Sequence, residues 1–213
     1  MDFLAARRAG FEGGFNSRMG VGPIETLGAF PADIGLAQML ATAAVHFDTG
    51  FALNDFAWVT NCWEICLVTQ IGRLEYLTKW LAAIRARWPD CQCVTLGEFG
   101  LRWRNEHADN TNLAYQFQQT GTGIGGSDSG MQIRWFMNQQ FRLALLRNTA
   151  ANGPEQVIDY TRYDRPAAEP TGLTRQWSLL GAINQKGTRP QDAPVPLTAL
   201  PAEDRALIDR RIR

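Results

Sequence analysis

Hydrophobic spacing changes character midway along this chain, and that change limits most strongly what it can fold into. Upstream, apolar residues recur at intervals of three and four. Leu74, Leu77, Leu81 and Ile84 are the clearest case, with Arg85 and Arg87 in the last turn of a helix expected over Arg73–Trp88. Downstream, Ile133–Met137, Phe141–Leu146 and Val157–Thr161 are short apolar runs separated by polar turns, which predicts strands. A helix over Met131–Arg147 is the alternative for part of that stretch.

Further helices are expected from Pro31-Ala32-Asp33 to Gly50, with Asp33 as cap, and from Phe56 to about Gln70, capped by Asn54 or Asp55. The second is apolar nearly all round, as a buried helix would be, though a strand for part of it fits the same run. Pro89-Asp90 ends the helix over Arg73–Trp88, and Cys91–Leu96 reads as a short apolar strand closed by Gly97. Helix, tight turn, apolar strand is half of a βαβ unit. Residues 1–30 are Gly-rich and read as loop. From Pro166 onward prolines multiply, marking extended chain before a last helix over Ala202–Arg211. The fold class expected is α/β. Residues 1–120 form a partial (β/α)-barrel-like segment, and residues 121–213 a β-rich C-terminal region with a Pro-rich tail. Two strands cannot close a barrel, so an open edge would need covering by more chain or by a second copy, making a homo-oligomer one expectation.

The chain has 213 residues, long enough to bury a core without disulfides or metal. Its 21 basic and 21 acidic residues cancel, which gives no sign of nucleic-acid binding. No apolar run approaches the roughly 18 residues of a membrane span. Met1–Ala6 is a short apolar run cut off by Arg7-Arg8, not a secretory signal, and taken alone this places the chain in the cytoplasm. Cys62/Cys66 and Cys91/Cys93 lack zinc spacing and sit in apolar runs, so buried thiols are expected.

The sharpest local feature is Val94-Thr95-Leu96-Gly97-Glu98-Phe99-Gly100. A carboxylate at a strand tip between glycines sits where α/β barrels place catalytic groups, with Phe99 and Trp103 close by to stack on a sugar. Glycoside hydrolysis needs a second carboxylate, for which Asp48 and Asp55 are the leading candidates, with Glu64 and Glu25 behind them. The competing reading has Glu98 bonded to loop amides or paired with Arg102 or Arg104. His46 and Asp48, on one face of an extended stretch, would make a base with its orienter or two metal ligands, against the competing reading of a polar helix end with capping side chains. Two histidines in the whole chain exclude a multi-histidine metal site within it. Gly121–Gly126 matches G-x-G-x-x-G but is followed by the turn Ser127–Gly130, so no dinucleotide cofactor is expected. That loop, with Asp128, reads as structural or as substrate-facing. Tyr160, Arg162, Tyr163, Arg175 and Trp177 offer a sugar platform or a core.

The segments FALNDFAWVTNCWEICLV, LEYLTKWLAAIRARWPDCQCVTLGEFGLRWR, GTGIGGSD, IRWFMNQQFRLALLRN and RQWSLLGAINQKGTRPQDAPVPL together resemble an uncharacterised bacterial family. Its members are longer (β/α)-barrel proteins similar to glycoside hydrolases and polysaccharide deacetylases. VTLGEFG also looks like the strand that carries the nucleophile in retaining barrel glycosidases. The resemblance implies the C-terminal portion of a carbohydrate-active protein acting on a polysaccharide or oligosaccharide in the periplasm or at the cell surface. With the carboxylate between glycines and the aromatics beside it, the expected site has Glu98 as nucleophile or general acid, Asp48 or Asp55 as its partner, and His46, Arg102, Trp103 and Asp128 lining a sugar site, with no metal or cofactor. A glycan-binding module without catalysis is the alternative. Two departures bear on this. The early Asp pair and later His pair of the deacetylases are absent, and Asn105-Glu106 follows Glu98 instead of preceding it.

Overall fold

A computed structural model describes residues 4, 23–61, 63, 69, 72–109, 111–165 and 194–212. Helices α1 (Pro23–Ala29), α2 (Ala32–Ala44) and α3 (Phe51–Asn54) come first, with a π-helical turn, Val45–Gly50, joining α2 to α3. Helices α4 (Leu74–Arg87) and α5 (Leu96–Glu106) follow, then strands β1 (Ala114–Thr120), β2 (Met131–Asn138), β3 (Phe141–Asn148) and β4 (Gln156–Arg162). A two-residue strand, β5 (Val195–Pro196), and helix α6 (Ala202–Ile212) complete the described chain. Among the described residues there is one sheet, antiparallel throughout, in the order β1-β2-β3-β4-β5.

The sheet is covered on both faces. Phe136, Phe141, Leu143, Leu145, Val157 and Tyr160 pack against Leu200, Leu207 and Ile208 of the C-terminal segment. Ile133, Trp135, Ala144, Leu146 and Ile158 form a second cluster with Leu4, joined by Phe117. The two sets alternate along β2, as the pleat requires. Consecutive residues of β3 are buried because Leu143 and Leu145 face one cluster while Ala144 and Leu146 face the other. The strands expected at Ile133–Met137, Phe141–Leu146 and Val157–Thr161 are present, and so is the last helix.

A third cluster unites Leu27, Ala32, Met39 and Ala43 with Tyr76, Trp80 and Ile84 of α4. The buried stripe of α4 thus turns away from Leu74 and Leu81, which are exposed. The aromatic pair buries more apolar area than the leucines would, and it sets the rotation of the helix. Asp33 lies in the first turn of α2, not at its cap, where it accepts a bond from the Tyr76 hydroxyl at 3.1 Å.

Several expectations are corrected. Residues 91–95 have no regular structure, and Leu96 opens α5, so no strand precedes Glu98. Cys93 is exposed, not a buried thiol, while Cys91 is half-buried and packs against the cluster of α2 and α4; Cys62 and Cys66 lie outside the described residues. The helix expected from Phe56 does not begin there. Asp55, at φ 60° and ψ 7°, ends α3, and residues 56–61 are irregular. The helix that begins near Pro31 does not stop at Gly50 but continues through the π turn to Asn54. Residues 23–29, expected as loop, are helical. A β/α barrel is not seen among the described residues.

The glycine-rich stretch Gly121–Gly126 closes the β1–β2 hairpin. A Cβ on Gly121 would lie 1.8 Å from the Asp128 carbonyl oxygen, so only glycine fits. Its N–H bonds to Met131 O at 3.0 Å, and Gly123 turns the chain at φ 79°. A strand precedes this loop and another strand follows it, as a hairpin requires and a dinucleotide fingerprint does not.

Candidate functional site

Between the helical half and the β1–β2 face lies a cavity of about 590 Å³ walled mainly by aromatic rings. The sheet supplies Tyr115, Phe117, Gln119, Trp135 and Met137. Register explains the set: Tyr115 pairs with Met137 and Phe117 with Trp135, so all four side chains stand on one face. The Phe117 and Trp135 rings lie 6.1 Å apart and nearly parallel, at 16°.

The opposite wall is Phe56, Trp58, Phe99, Gly100 and Trp103. Phe56 and Trp58 share a face because the chain there is not helical, so residues two apart point the same way. Phe99 and Trp103 come from successive turns of α5. Trp58 stacks on Phe99 with centroids 3.8 Å apart, and Trp103 stacks on His107 at 3.8 Å and 7°. Phe56 bridges the walls, 5.0 Å from Trp103 and 5.1 Å from Tyr115. These contacts hold the rings at set angles before any ligand arrives.

The polar groups are few. His46 enters from the π turn, which adds a residue to the helical repeat and redirects its side chain toward the sheet. Its Nδ1 lies 3.2 Å from the Tyr115 hydroxyl, and its ring sits 4.8 Å from Phe117. Burial holds the imidazole below its ordinary pKa and pushes the Tyr115 phenol above its own, so both groups are neutral near pH 7. Thr42 and Gln119 also line the space. An aromatic wall with a small number of fixed hydroxyl, imidazole and amide groups can stack on an apolar ring face and orient hydroxyls at its rim.

Asn54 ties the two halves together beside the cavity. Its Nδ2 donates to Gln116 O at 2.7 Å, and its Oδ1 accepts from Gln116 N at 2.8 Å. One side-chain amide thus takes the place of a neighbouring strand on the β1 edge. The same Nδ2 donates to Gly50 O at 2.5 Å. Nothing local in the sequence marks a contact of Asn54 with Gln116, and there Asn54 reads as a helix cap.

Of the residues singled out by the sequence, the structure brings His46, Phe99 and Trp103 to this cavity. The others lie elsewhere among the described contacts. Glu98 is exposed and closes a capping box. Thr95 N and Oγ1 donate to Glu98 Oε2 at 2.8 and 3.0 Å, and Glu98 N donates back to Thr95 Oγ1 at 3.2 Å. Those bonds from Thr95 hold its carboxyl below the usual range. Asp48 does not orient His46. It accepts from Arg87 Nη2 at 2.7 Å and from Trp88 Nε1 at 2.6 Å. The stretch is helical, so residues two apart diverge. Asp55 ends α3 on the surface, and Arg102 donates to Gln92 Oε1 at 2.6 Å. Asp128 belongs to the hairpin turn, where Oδ1 accepts from Gly130 N at 3.1 Å. Glu64, Arg175 and Trp177 lie outside the described residues, as does the Glu25 side chain. Tyr160 is core.

Phe56, Trp58, Tyr115 and Phe117 were not foreseen as site residues. The alternation of Tyr115, Phe117 and Gln119 was a readable strand signal, masked by the intervening glutamines. Among the described residues no group of three or more His, Cys, Asp or Glu is placed to hold a metal, and no helix is long and apolar enough to cross a membrane.

Residues 1–137 match the family described as Domain of Unknown Function (DUF3863), and residues 142–213 match a second, DUF3864. A solved structure of a candidate glycoside hydrolase/deacetylase from Parabacteroides distasonis is similar at 43% identity and a TM-score of 0.81. The similarity covers 99% of this chain and 51% of that one, so the chain spans about half the length of that relative. No curated protein matches the chain.

Proposed function

The chain belongs to the DUF3863 family, and we propose that it is the sugar-binding portion of a carbohydrate-active, glycoside-hydrolase-like protein. The observation that carries this reading is the cavity faced by Trp58, Phe99 and Trp103 on one side and by Phe117 and Trp135 on the other. Pyranose rings present apolar C–H faces that stack on such side chains, and their hydroxyls suit the His46–Tyr115 pair. The carbohydrate character of the similar solved protein supports the same class of ligand. In a longer protein this portion would sit beside a (β/α) barrel and hold the glycan there, its aromatics serving as anchors. Glu98, bonded to Thr95, acts in this reading as a helix cap and not as the nucleophile.

Isothermal titration of the full chain against a panel of neutral and acidic oligosaccharides tests it. Trp103→Ala is expected to weaken binding about 30-fold, the equivalent of about 2 kcal/mol for a buried aromatic anchor. Glu98→Gln is expected to bind as wild type does. Absence of glycan binding in the wild-type chain would overturn the proposal. Glycan hydrolysis lost in Glu98→Gln with binding intact would restore the paired-carboxylate reading.

A further inference from the structure

Resting on that reading, we infer that the cavity selects uncharged glycans and rejects uronic acids and sulfated sugars. The basis is what faces the space. No described residue lining it carries a formal charge, and its polar members are Thr42, His46, Tyr115 and Gln119. An anion entering would lose its hydration among aromatic rings and meet no cation among the described lining residues, a penalty that a neutral sugar does not face.

Three arginines near the space are engaged elsewhere, and Arg104 on α5 is not among the residues that line it. Arg142 stands on the same face of the sheet, with its guanidinium 5.9 Å from the Trp135 ring. It is spent on buried Asp159, to which its Nε donates at 2.5 Å. On α5, Arg102 is bonded to Gln92. Beside His46, Arg87 is bonded to Asp48. The imidazole itself does not supply the missing cation, since burial favours its neutral form. Neutral hydroxyls need only what His46, Tyr115 and Gln119 offer, namely single donors and acceptors of no net charge. The cavity is therefore complementary to a hexose and mismatched to the same hexose oxidised at C6.

Matched ligands test this directly. Glucan, galactan and mannan oligosaccharides would be titrated calorimetrically into the full chain, alongside glucuronan, galacturonan and mannuronan oligosaccharides of equal length. In any backbone that binds, the neutral member is expected to bind at least tenfold more tightly. Equal or tighter binding of a uronic acid would overturn the selectivity while leaving the sugar-binding reading in place. No binding in either set would overturn both.

Discussion

The imidazole of His46 packs against Phe117 and meets Tyr115 inside an aromatic wall, so protonating it would place a cation where no described lining residue offers a countercharge. Its pKa in the fold therefore lies below the ordinary 6.5. The unfolded chain takes up the proton first, so protonation favours unfolding. Stability from this group is full above about pH 6.5 and declines as pH falls toward the lower folded value. Replacing the ring by His46→Gln is expected to flatten that decline, which urea midpoints measured between about pH 7.5 and 5 would show. Parallel decline in both proteins would mean that the imidazole is not desolvated. The residue scale also shows what local sequence conveys. Thr95-Leu96-Gly97-Glu98 is a capping box, and its spacing of three announces a helix start. Glycines on either side of Glu98 suggested a strand tip instead. The two readings share the same letters, and the reciprocal bonds with Thr95 decide between them.

At the level of elements, α6 is fixed to the sheet by a buried carboxylate. Asp204, fully buried in its first turn, accepts from Tyr160 Oη at 3.0 Å and from Arg162 Nη1 at 2.6 Å. Arg162 also pairs with Asp164, and Arg165 reaches Asp204 at 3.5 Å. Burial and the Asp204 carboxylate push the Tyr160 phenol up to about 12. Asp204→Ala leaves the Tyr160 hydroxyl facing a void and Arg162 with Asp164 alone, at a cost of about 1–3 kcal/mol in guanidinium unfolding. The Tyr160 phenol should then ionise at lower pH, as ultraviolet titration would register. A loss below about 1 kcal/mol would show that solvent satisfies the pair. Strands were legible here because apolar residues in β2, β3 and β4 come in short runs between turns. The chain after Asp55 was not, because a run that is apolar throughout fits helix and strand alike. In the structure Phe56 and Trp58 obey a period of two, set by a cavity that the local sequence does not reveal.

At the scale of the whole molecule, Asn54 makes the most specific polar contact between the helical half and the sheet among the described residues, and His46 with Tyr115 makes another. Asn54→Ala would leave both backbone groups of Gln116 without these partners, which is expected to cost about 2 kcal/mol. The loss should appear in urea unfolding, together with weaker glycan binding, since Tyr115 is the next residue along β1. Unchanged stability and affinity would show that the edge needs no such partner. None of this was legible beforehand. The contact joins positions 62 apart, and sequence patterns report what lies within a turn or two. Sheet and helices could each be inferred, but the seam between them could not.

That separation sets the order in which the molecule assembles. Strands β1 to β4 are neighbours in the sheet as they are in the sequence, closed by residues 121–130, 139–140 and 149–155. Such short closures lose little chain entropy and form early, whereas the Asn54 contact must wait for distant segments to meet. The cavity is therefore expected to form after the hairpins of the sheet and to part early on unfolding. A sugar bound there would act on the way out, lengthening the life of the native state while leaving the rate of its formation almost untouched.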